Sequence, residues 1–198
     1  IKNCVTGAAP INPEILRFFD AAGVLVLEGW GMTETSRAAT VAHPEAFKFG
    51  TVGRAFRDTE IKIADDGEVL VKGPNVFQGY YKNEEATKET IVDGWLHTGD
   101  IGELDSDGYL KITGRKKDII ITAGGKNITP ANLEAEMKQS QWISQCVVVG
   151  DRRPYLVALV TLDPEECAKL AEEKGWPTDM AALAKHPEMR ALLQAHLD

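Results

Sequence analysis

The sequence predicts an α/β layer, then a mostly β segment, then a small α+β unit. Three observations carry this expectation. Helical spacing lies between two short apolar runs near the start, two hairpin patterns occupy the middle third, and strand and helix patterns mix after Arg115. The first 48 residues are read as the layer, 49–116 as the β segment (a small β-barrel or curled sheet) and 117–198 as the last unit. A length of 198 residues is enough for one or two domains with real cores.

Each element has a local reason. Ile1–Gly7 reads as a buried strand entering a turn. Pro13–Ala22 carries apolar residues at Ile15, Phe18, Phe19 and Ala22, with Gly23 as its stop. Val24–Leu27 is a short apolar run of the buried-strand type. Thr59–Ile63 alternates, Asp65-Asp66-Gly67 turns, and Glu68–Val71 returns as a hairpin. Asn83–Ile91 reads as a helix. Ile101–Leu104 and Tyr109–Ile112 form a second hairpin around Asp105-Ser106-Asp107-Gly108. Ile119–Ile121 is a strand, and Thr129-Pro130 opens a helix with Thr as cap and Pro at the first position. Cys146–Val149 and Tyr155–Leu162 are further strands. Asp163-Pro164-Glu165-Glu166 caps the next helix, and helical patterns follow with breaks at Pro177 and Pro187.

Bulk properties bound the function. A hydrophobic share of 43% and a charged share of 26% suit a soluble globular protein. The formal net charge of −8 argues against a general nucleic-acid binder, which needs surplus Lys and Arg. Three scattered cysteines give neither a disulfide framework nor metal spacing, so a reduced, cytoplasmic setting is expected. No apolar run reaches the ~18–20 residues of a membrane helix. The strand-like opening without Met and the uncapped helical pattern at the end lead to the expectation of a piece of a longer protein.

Several residues have side chains suited to a nucleotide. Thr33-Glu34 follows a strand and a Gly29-Trp30-Gly31 turn. Its hydroxyl can meet a phosphate and its carboxylate suits magnesium, although a capped helix start explains it equally. Trp30 can stack on a base or fill a core. Asp100 can accept from both hydroxyls of a ribose, or serve as a turn Asp ahead of a strand. Arg115 offers a rigid fork of donors, or is an exposed basic loop residue. Gly124-Gly125-Lys126 lacks the rest of a phosphate-loop motif. Asp105–Gly108 fails as a calcium loop, because Gly114 stands where the bidentate Glu belongs and no helices flank it. The four histidines show no ligand spacing, and no Gly-x-Ser-x-Gly occurs.

The order of motifs is more specific than any one of them. Gly7-Ala8-Ala9-Pro10 comes first, then Gly29–Glu34, Gly67–Gly73 with Gly79-Tyr80-Tyr81, Trp95–Asp100, Gly114–Asp118 and Gly124–Pro130. The series resembles the adenylate-forming superfamily of acyl-coenzyme A synthetases, peptide-synthetase adenylation domains and firefly-type luciferases. Glu28–Thr35 and Gly150–Tyr155 are most similar to the bacterial long-chain fatty acid–coenzyme A ligases.

The resemblance implies ATP or AMP, magnesium and coenzyme A as partners of a fatty acid. It also implies an acyl-adenylate formed with loss of pyrophosphate, then a thioester formed with loss of AMP. By position, Gly7, Ala8 and Ala9 would line the adenine and acyl pocket. Glu28 and Trp30 would lie beside the base, with Gly31 in the same turn. Thr33 would touch the α-phosphate and Glu34 would hold magnesium. Asp100 and Arg115 would bind the ribose, with Ile112 near the nucleotide. Lys117 would be the hinge of a mobile last domain, and Gly124 and Gly125 would serve coenzyme A. The Gly73–Tyr81 segment reads as mainly structural.

The family's glycine-rich phosphate loop and C-terminal catalytic lysine have no match here; Lys169, Lys174 and Lys185 lie in other contexts. The fold is therefore expected to be incomplete at both ends, and the chain alone inactive. An adenylation domain loading an amino or aryl acid onto a carrier protein, and a non-catalytic nucleotide-binding module, are the other readings. Peripheral membrane association would be compatible with a fatty acid ligase, but no amphipathic basic helix speaks for it. Acyl chain length and oligomeric state are not readable.

Overall fold

The computed structural model describes residues 4–8 and 11–195. The strand reading at Ile1–Asn3, the site reading at Ala9 and the helix reading at 196–198 lie outside them. The chain forms two compact units, Ile1–Lys117 and Asp118–Asp198.

In the first unit, β1 (Cys4–Thr6) and β2 (Val26–Trp30) pair in parallel around helix α1 (Pro13–Ala21). Asn12 caps α1 by accepting from the Glu14 N–H, and Pro13 follows at the first position. The buried residue of α1 is Leu16, whereas Ile15, Phe18 and Phe19 are exposed. The apolar spacing thus marks the helix but not its buried side. Strands β3 (Thr40–Val41) and β4 (Arg54–Ala55) complete an antiparallel extension of β2. Two-residue strands carry no period, and the sequence reading misses them.

A second sheet holds β5 (Glu60–Ile63), β6 (Glu68–Lys72), β7 (Ile91–Val92), β8 (Trp95–Leu104) and β9 (Leu110–Arg115). Helix α2 (Glu84–Thr90) precedes β7, capped by Asn83. The expected hairpins are present, β5 with β6 and β8 with β9. Lys48 bridges the turn carboxylates of Asp105 and Asp107 at 2.6 Å each, as suits a hairpin turn. No closed barrel forms among the described residues. Strand β8 takes β6, β7 and β9 as partners in an open five-stranded sheet. The two sheets share a core of Trp30, Ala39, Val69, Val71, Leu96 and Leu110. They are also stitched by backbone bonds from Val52 to Leu110 (2.8 Å) and from Leu110 to Gly53 (2.9 Å).

One difference from the sequence reading bears directly on function. Asp100 is not a turn residue ahead of a strand; it lies inside the ten-residue β8. Between paired residues Leu70↔His97 and Glu68↔Ile101, β6 advances two positions while β8 advances four. Thr98, Gly99 and Asp100 thus stand opposite Val69 alone and form a bulge, which re-aims a strand side chain. Gly99 takes the left-handed φ of 70° that the bulge requires.

The second unit contains β10 (Ile120–Ile121) paired with β11 (Asn127–Ile128), then α3 (Pro130–Met137). Strands β12 (Ile143–Val149) and β13 (Val157–Leu162) form a hairpin-like pair, followed by α4 (Pro164–Lys174), α5 (Met180–Leu183) and α6 (Pro187–Gln194). Asp163 caps α4 as expected, accepting from the Glu165 and Glu166 N–H groups. Thr129 stands at the N-cap of α3, but its side chain makes no capping bond. Alternation along β12 turns Ile143, Cys146 and Val148 into a core with Cys167, Ala171, Leu183 and Met189. No helix among the described residues is long and apolar enough to cross a membrane.

Candidate functional site

The predicted residues of the first unit gather where β2 and β8 end or bend. Parallel pairing sets Thr6 opposite Glu28, and Gly7 beside Gly29 so closely that a Cβ on Gly7 would lie 2.9 Å from the Gly29 carbonyl oxygen. Ala8 is exposed, with a left-handed φ of 67°. Glu28 is half-buried, and burial pushes its carboxyl above the usual range against a backbone hydrogen bond at Gly50.

After Trp30 the backbone doubles back on itself. The Ala39 N–H donates to the Trp30 carbonyl at 2.8 Å, and a side chain at Gly31 would collide with the Arg37 carbonyl. A 3₁₀ turn spans Thr33–Thr35. The Thr35 hydroxyl accepts from the Met32 N–H at 2.9 Å and donates to the Met32 carbonyl at 3.0 Å. Ser36 and Arg37 follow at φ of 53° and 98°, a strained pair of the kind found at functional turns. The turn leaves Thr33 exposed and Glu34 half-buried.

Two groups on the 73–81 segment fix Glu34. The Phe77 N–H donates to its carbonyl at 2.8 Å, and the Tyr80 hydroxyl donates to its Oε1 at 2.7 Å. That bond, with burial, holds the Tyr80 phenol above its ordinary range. Tyr80 packs edge-on against Phe77 with ring centroids 4.9 Å apart. The donor set suits magnesium, which is commonly held by one or two carboxylates together with substrate phosphates. Glu34 Oε2 has no protein donor among the described residues. No cluster of three or more His, Cys, Asp or Glu able to hold a metal occurs among them, so a phosphate would have to supply further ligands.

Asp100 is the most constrained of the predicted residues. Its Oδ2 accepts from Trp30 Nε1 at 2.8 Å, and its Oδ1 accepts from Arg115 Nε at 2.9 Å. Asp100 and Arg115 are paired residues of β8 and β9, so the ladder itself sets their distance. The Asp100 side chain is 13% exposed and that of Arg115 49%. This leaves the carboxylate near the surface but out of bulk water. The Asp100 N–H donates to the Thr98 hydroxyl at 3.1 Å, and that hydroxyl donates to the Val69 carbonyl at 2.7 Å. Ile112 is half-buried against the core that holds Trp30.

A second carboxylate lies beside the bulge. Glu68, 4% exposed, accepts from the Gly99 N–H at 2.8 Å and from Lys116 Nζ at 3.1 Å, and meets His97 Nδ1 at 3.1 Å. Lys116 also pairs with Asp66 at 2.6 Å. Burial pushes the Glu68 carboxyl up; the bonds from His97, Gly99 and Lys116 together outweigh it and leave it below its ordinary value.

The structure therefore brings Trp30, Asp100 and Arg115 into contact, and Thr33 and Glu34 onto one turn. Lys117 is exposed at the end of the first unit, and Gly124 and Gly125 are exposed in the β10–β11 loop of the second. Sequence reasoning passes over Tyr80 and Glu68. Tyr80 lies in a segment read as structural. Glu68 heads an apolar strand, and a carboxylate on such a buried run is the signal that could have marked it. A surface depression of ≈ 430 Å³ lined by Gln78, Tyr80, Tyr81 and Thr87 contains none of the predicted site residues.

Comparisons with known proteins bear on the family. The model of the AMP-binding enzyme family matches residues 1–81, and that of the AMP-binding enzyme C-terminal domain matches residues 117–187. A long-chain-fatty-acid–CoA ligase, FadD15, of Mycobacterium bovis is 46% identical over 198 residues, covering 98% of this chain and 33% of its own length. Long-chain-fatty-acid–CoA ligase 6 of Rattus norvegicus is 40% identical over 204 residues, covering 96% of this chain and 29% of its own. The chain thus spans about a third of the length of these curated relatives. Among solved structures, o-succinylbenzoate CoA synthetase from Bacillus subtilis with its acyl-adenylate intermediate is 31% identical at a TM-score of 0.76, over 88% of this chain and 40% of that one. The anthranilate CoA ligase AuaEII shares the fold at a TM-score of 0.76 over 99% of this chain and 37% of that one.

Proposed function

The chain belongs to the AMP-binding enzyme family, and on that premise we propose that it is the C-terminal part of a long-chain fatty acid–coenzyme A ligase. In the first half-reaction a fatty acid carboxylate attacks the α-phosphate of ATP, and pyrophosphate leaves. In the second, coenzyme A thiolate attacks the acyl carbonyl, and AMP leaves. Neither step needs a protein acid or base at the reacting atoms; both need positioning and neutralisation of phosphate charge.

The observation that carries the reading is the Asp100 carboxylate, held between Arg115 and Trp30, the latter three residues ahead of Thr33 in the chain. Asp100 accepts the ribose hydroxyls, and Arg115 holds Asp100 and adds donors at the same edge. Gly7, Ala8, Glu28 and Gly31 line the base and acyl side, and Ile112 backs the nucleotide. Thr33 donates to the α-phosphate. Glu34, oriented by Tyr80, would hold magnesium with the phosphates; the ion supplies charge neutralisation there. In this reading residues 1–48 are the edge of a large domain, 49–116 its β subdomain and 117–198 a small mobile domain hinged near Lys117. Gly124 and Gly125 admit the pantetheine arm of coenzyme A. The reading places the protein in the cytoplasm, where ATP and coenzyme A are at hand.

The test is acid-dependent ATP–pyrophosphate exchange by the full-length protein across a panel of carboxylic acids. Exchange and coenzyme A thioester formation strongest with long-chain fatty acids are expected. Exchange confined to amino or aryl acids would replace the substrate class, and AMP binding without exchange would replace the enzyme by a binding module.

A further inference from the structure

We propose that Lys116 is a positioning residue whose ammonium pins the end of β9 to Asp66 and Glu68, so that rotation of the last domain begins at Lys117 and does not reach Arg115. The proposal rests on the reading of Lys117 as the hinge. Three consecutive residues have three different surroundings. Arg115 ends β9 with its Nε on Asp100 Oδ1 at 2.9 Å. Lys116 Nζ lies 2.6 Å from Asp66 Oδ2 and 3.1 Å from Glu68 Oε2. Lys117 is exposed, with no side-chain partner among the described residues, and the two compact units divide directly after it. Only Lys116 separates the side chain that holds Asp100 from the point where the chain is free to turn.

A hinge is a few residues that absorb a large change in φ and ψ, and what holds the chain beside them sets where the change stops. Backbone pairing holds the end of β9 weakly. The pairs Ile101↔Gly114 and Asp100↔Arg115 lie beyond an irregularity in the β8–β9 ladder, cut off from the regular pairs at Leu110–Ile112. Such a short terminal stretch opens easily under load. A side-chain anchor one residue further on holds it. The anchor is firm at its far end, because Glu68 has a side-chain exposure of 5% and is itself held by the Gly99 N–H at 2.8 Å and His97 at 3.1 Å. An ammonium has three donors, and here two carboxylates engage it at once through charge-assisted bonds. Lys116 itself is half exposed, so it is the double engagement rather than burial that makes the hold. The last domain can then turn without drawing Arg115 off Asp100. An adenylate made in one orientation stays held while coenzyme A attacks in the other.

The experiment uses the full-length protein and three variants. Lys116→Met keeps the stem and removes the charge, Asp66→Asn weakens the anchor at its exposed end, and Lys116→Arg keeps the charge. Hydrogen exchange compares the Gly114-Arg115 end of β9 with Leu110–Ile112. Lys116→Met should speed hydrogen exchange at that end at least about tenfold relative to Leu110–Ile112, Asp66→Asn by less, and Lys116→Arg should resemble the wild type. With a long-chain fatty acid, ATP consumed per thioester formed should rise at least about twofold in Lys116→Met, because adenylate escapes before coenzyme A attacks. Wild-type hydrogen exchange at Gly114-Arg115 in both Lys116→Met and Asp66→Asn would overturn the proposal. An equal rise along all of β9 would also overturn it, in favour of a general contribution to stability. Lys117→Pro, which fixes φ at the boundary, tests the underlying reading and should slow thioester formation more than adenylate formation. Thioester formation at the wild-type rate in that variant would overturn the hinge reading, and the anchor with it.

Discussion

Asp100 and Glu68 are two enclosed carboxylates on neighbouring strands, and each is joined to a basic residue where β9 runs out. Arg115 serves the first and Lys116, its chain neighbour, the second. Their surroundings differ in one respect. Glu68 has three partners, including a backbone N–H, at 5% side-chain exposure. Asp100 has two side-chain donors, one to each oxygen, at 13% exposure. A buried charge with three of its about four acceptor positions filled by its own protein suits a structural role, whereas one with two filled and nearer the surface is suited to a ligand.

The contrast is sharpest in stability. Glu68→Ala leaves the Gly99 N–H at the bulge without its acceptor, while Lys116 keeps Asp66, and should cost about 1–3 kcal/mol in chemical denaturation of the full-length protein. A loss below about 1 kcal/mol would place Glu68 among the weak surface pairs instead.

The same cluster sets a pH window. Glu68 and Asp66 lie below their ordinary values, so the folded state binds fewer protons than the unfolded one. Their contribution is complete above the unfolded carboxylate range near ~4 and is lost as pH falls through the lowered folded values. Lys116 lies above its ordinary value, so its contribution is complete below ~10.4 and is lost as pH rises through the raised folded value. Melting temperature against pH should therefore show a step on the acid side that Glu68→Gln makes shallower. An unchanged step would assign acid loss to other groups.

Asp100→Ala should raise the KM for ATP by about ten- to a hundredfold. Tyr80→Phe removes one bond to Glu34 and should raise the magnesium concentration needed for half-maximal nucleotide binding by about two- to fivefold, read by titration. The smallest effect is expected of Arg115→Lys, about two- to threefold in KM for ATP, because a half-exposed pair tolerates loss of its planar fork.

The sequence exposed the local parts of this design and concealed the long-range ones. The β5–β6 hairpin was legible because Thr59–Ile63 alternates into an Asp65-Asp66-Gly67 turn, and α4 because Asp163 precedes Pro164. The barrel expectation followed from hairpin density, which says nothing about closure. The bulge was missed because Gly99 reads as a boundary, when a glycine inside a strand pattern also marks an extra residue. Asp100, Arg115, Thr33 and Glu34 are singled out by motif order. The bond from Trp30 to Asp100 joins two sheets across 70 residues, and neither residue carries a local sign of the other. Tyr80 was hidden for the same reason, 46 residues from Glu34.

The central claim is that the carboxylate with two donors, and not the one with three, receives the ribose. It is tested most directly by the ratio of AMP to 2′,3′-dideoxy-AMP affinity in Asp100→Ala at a temperature where the variant stays folded. The account predicts a ratio near one. A preserved preference for AMP in that variant would contradict it.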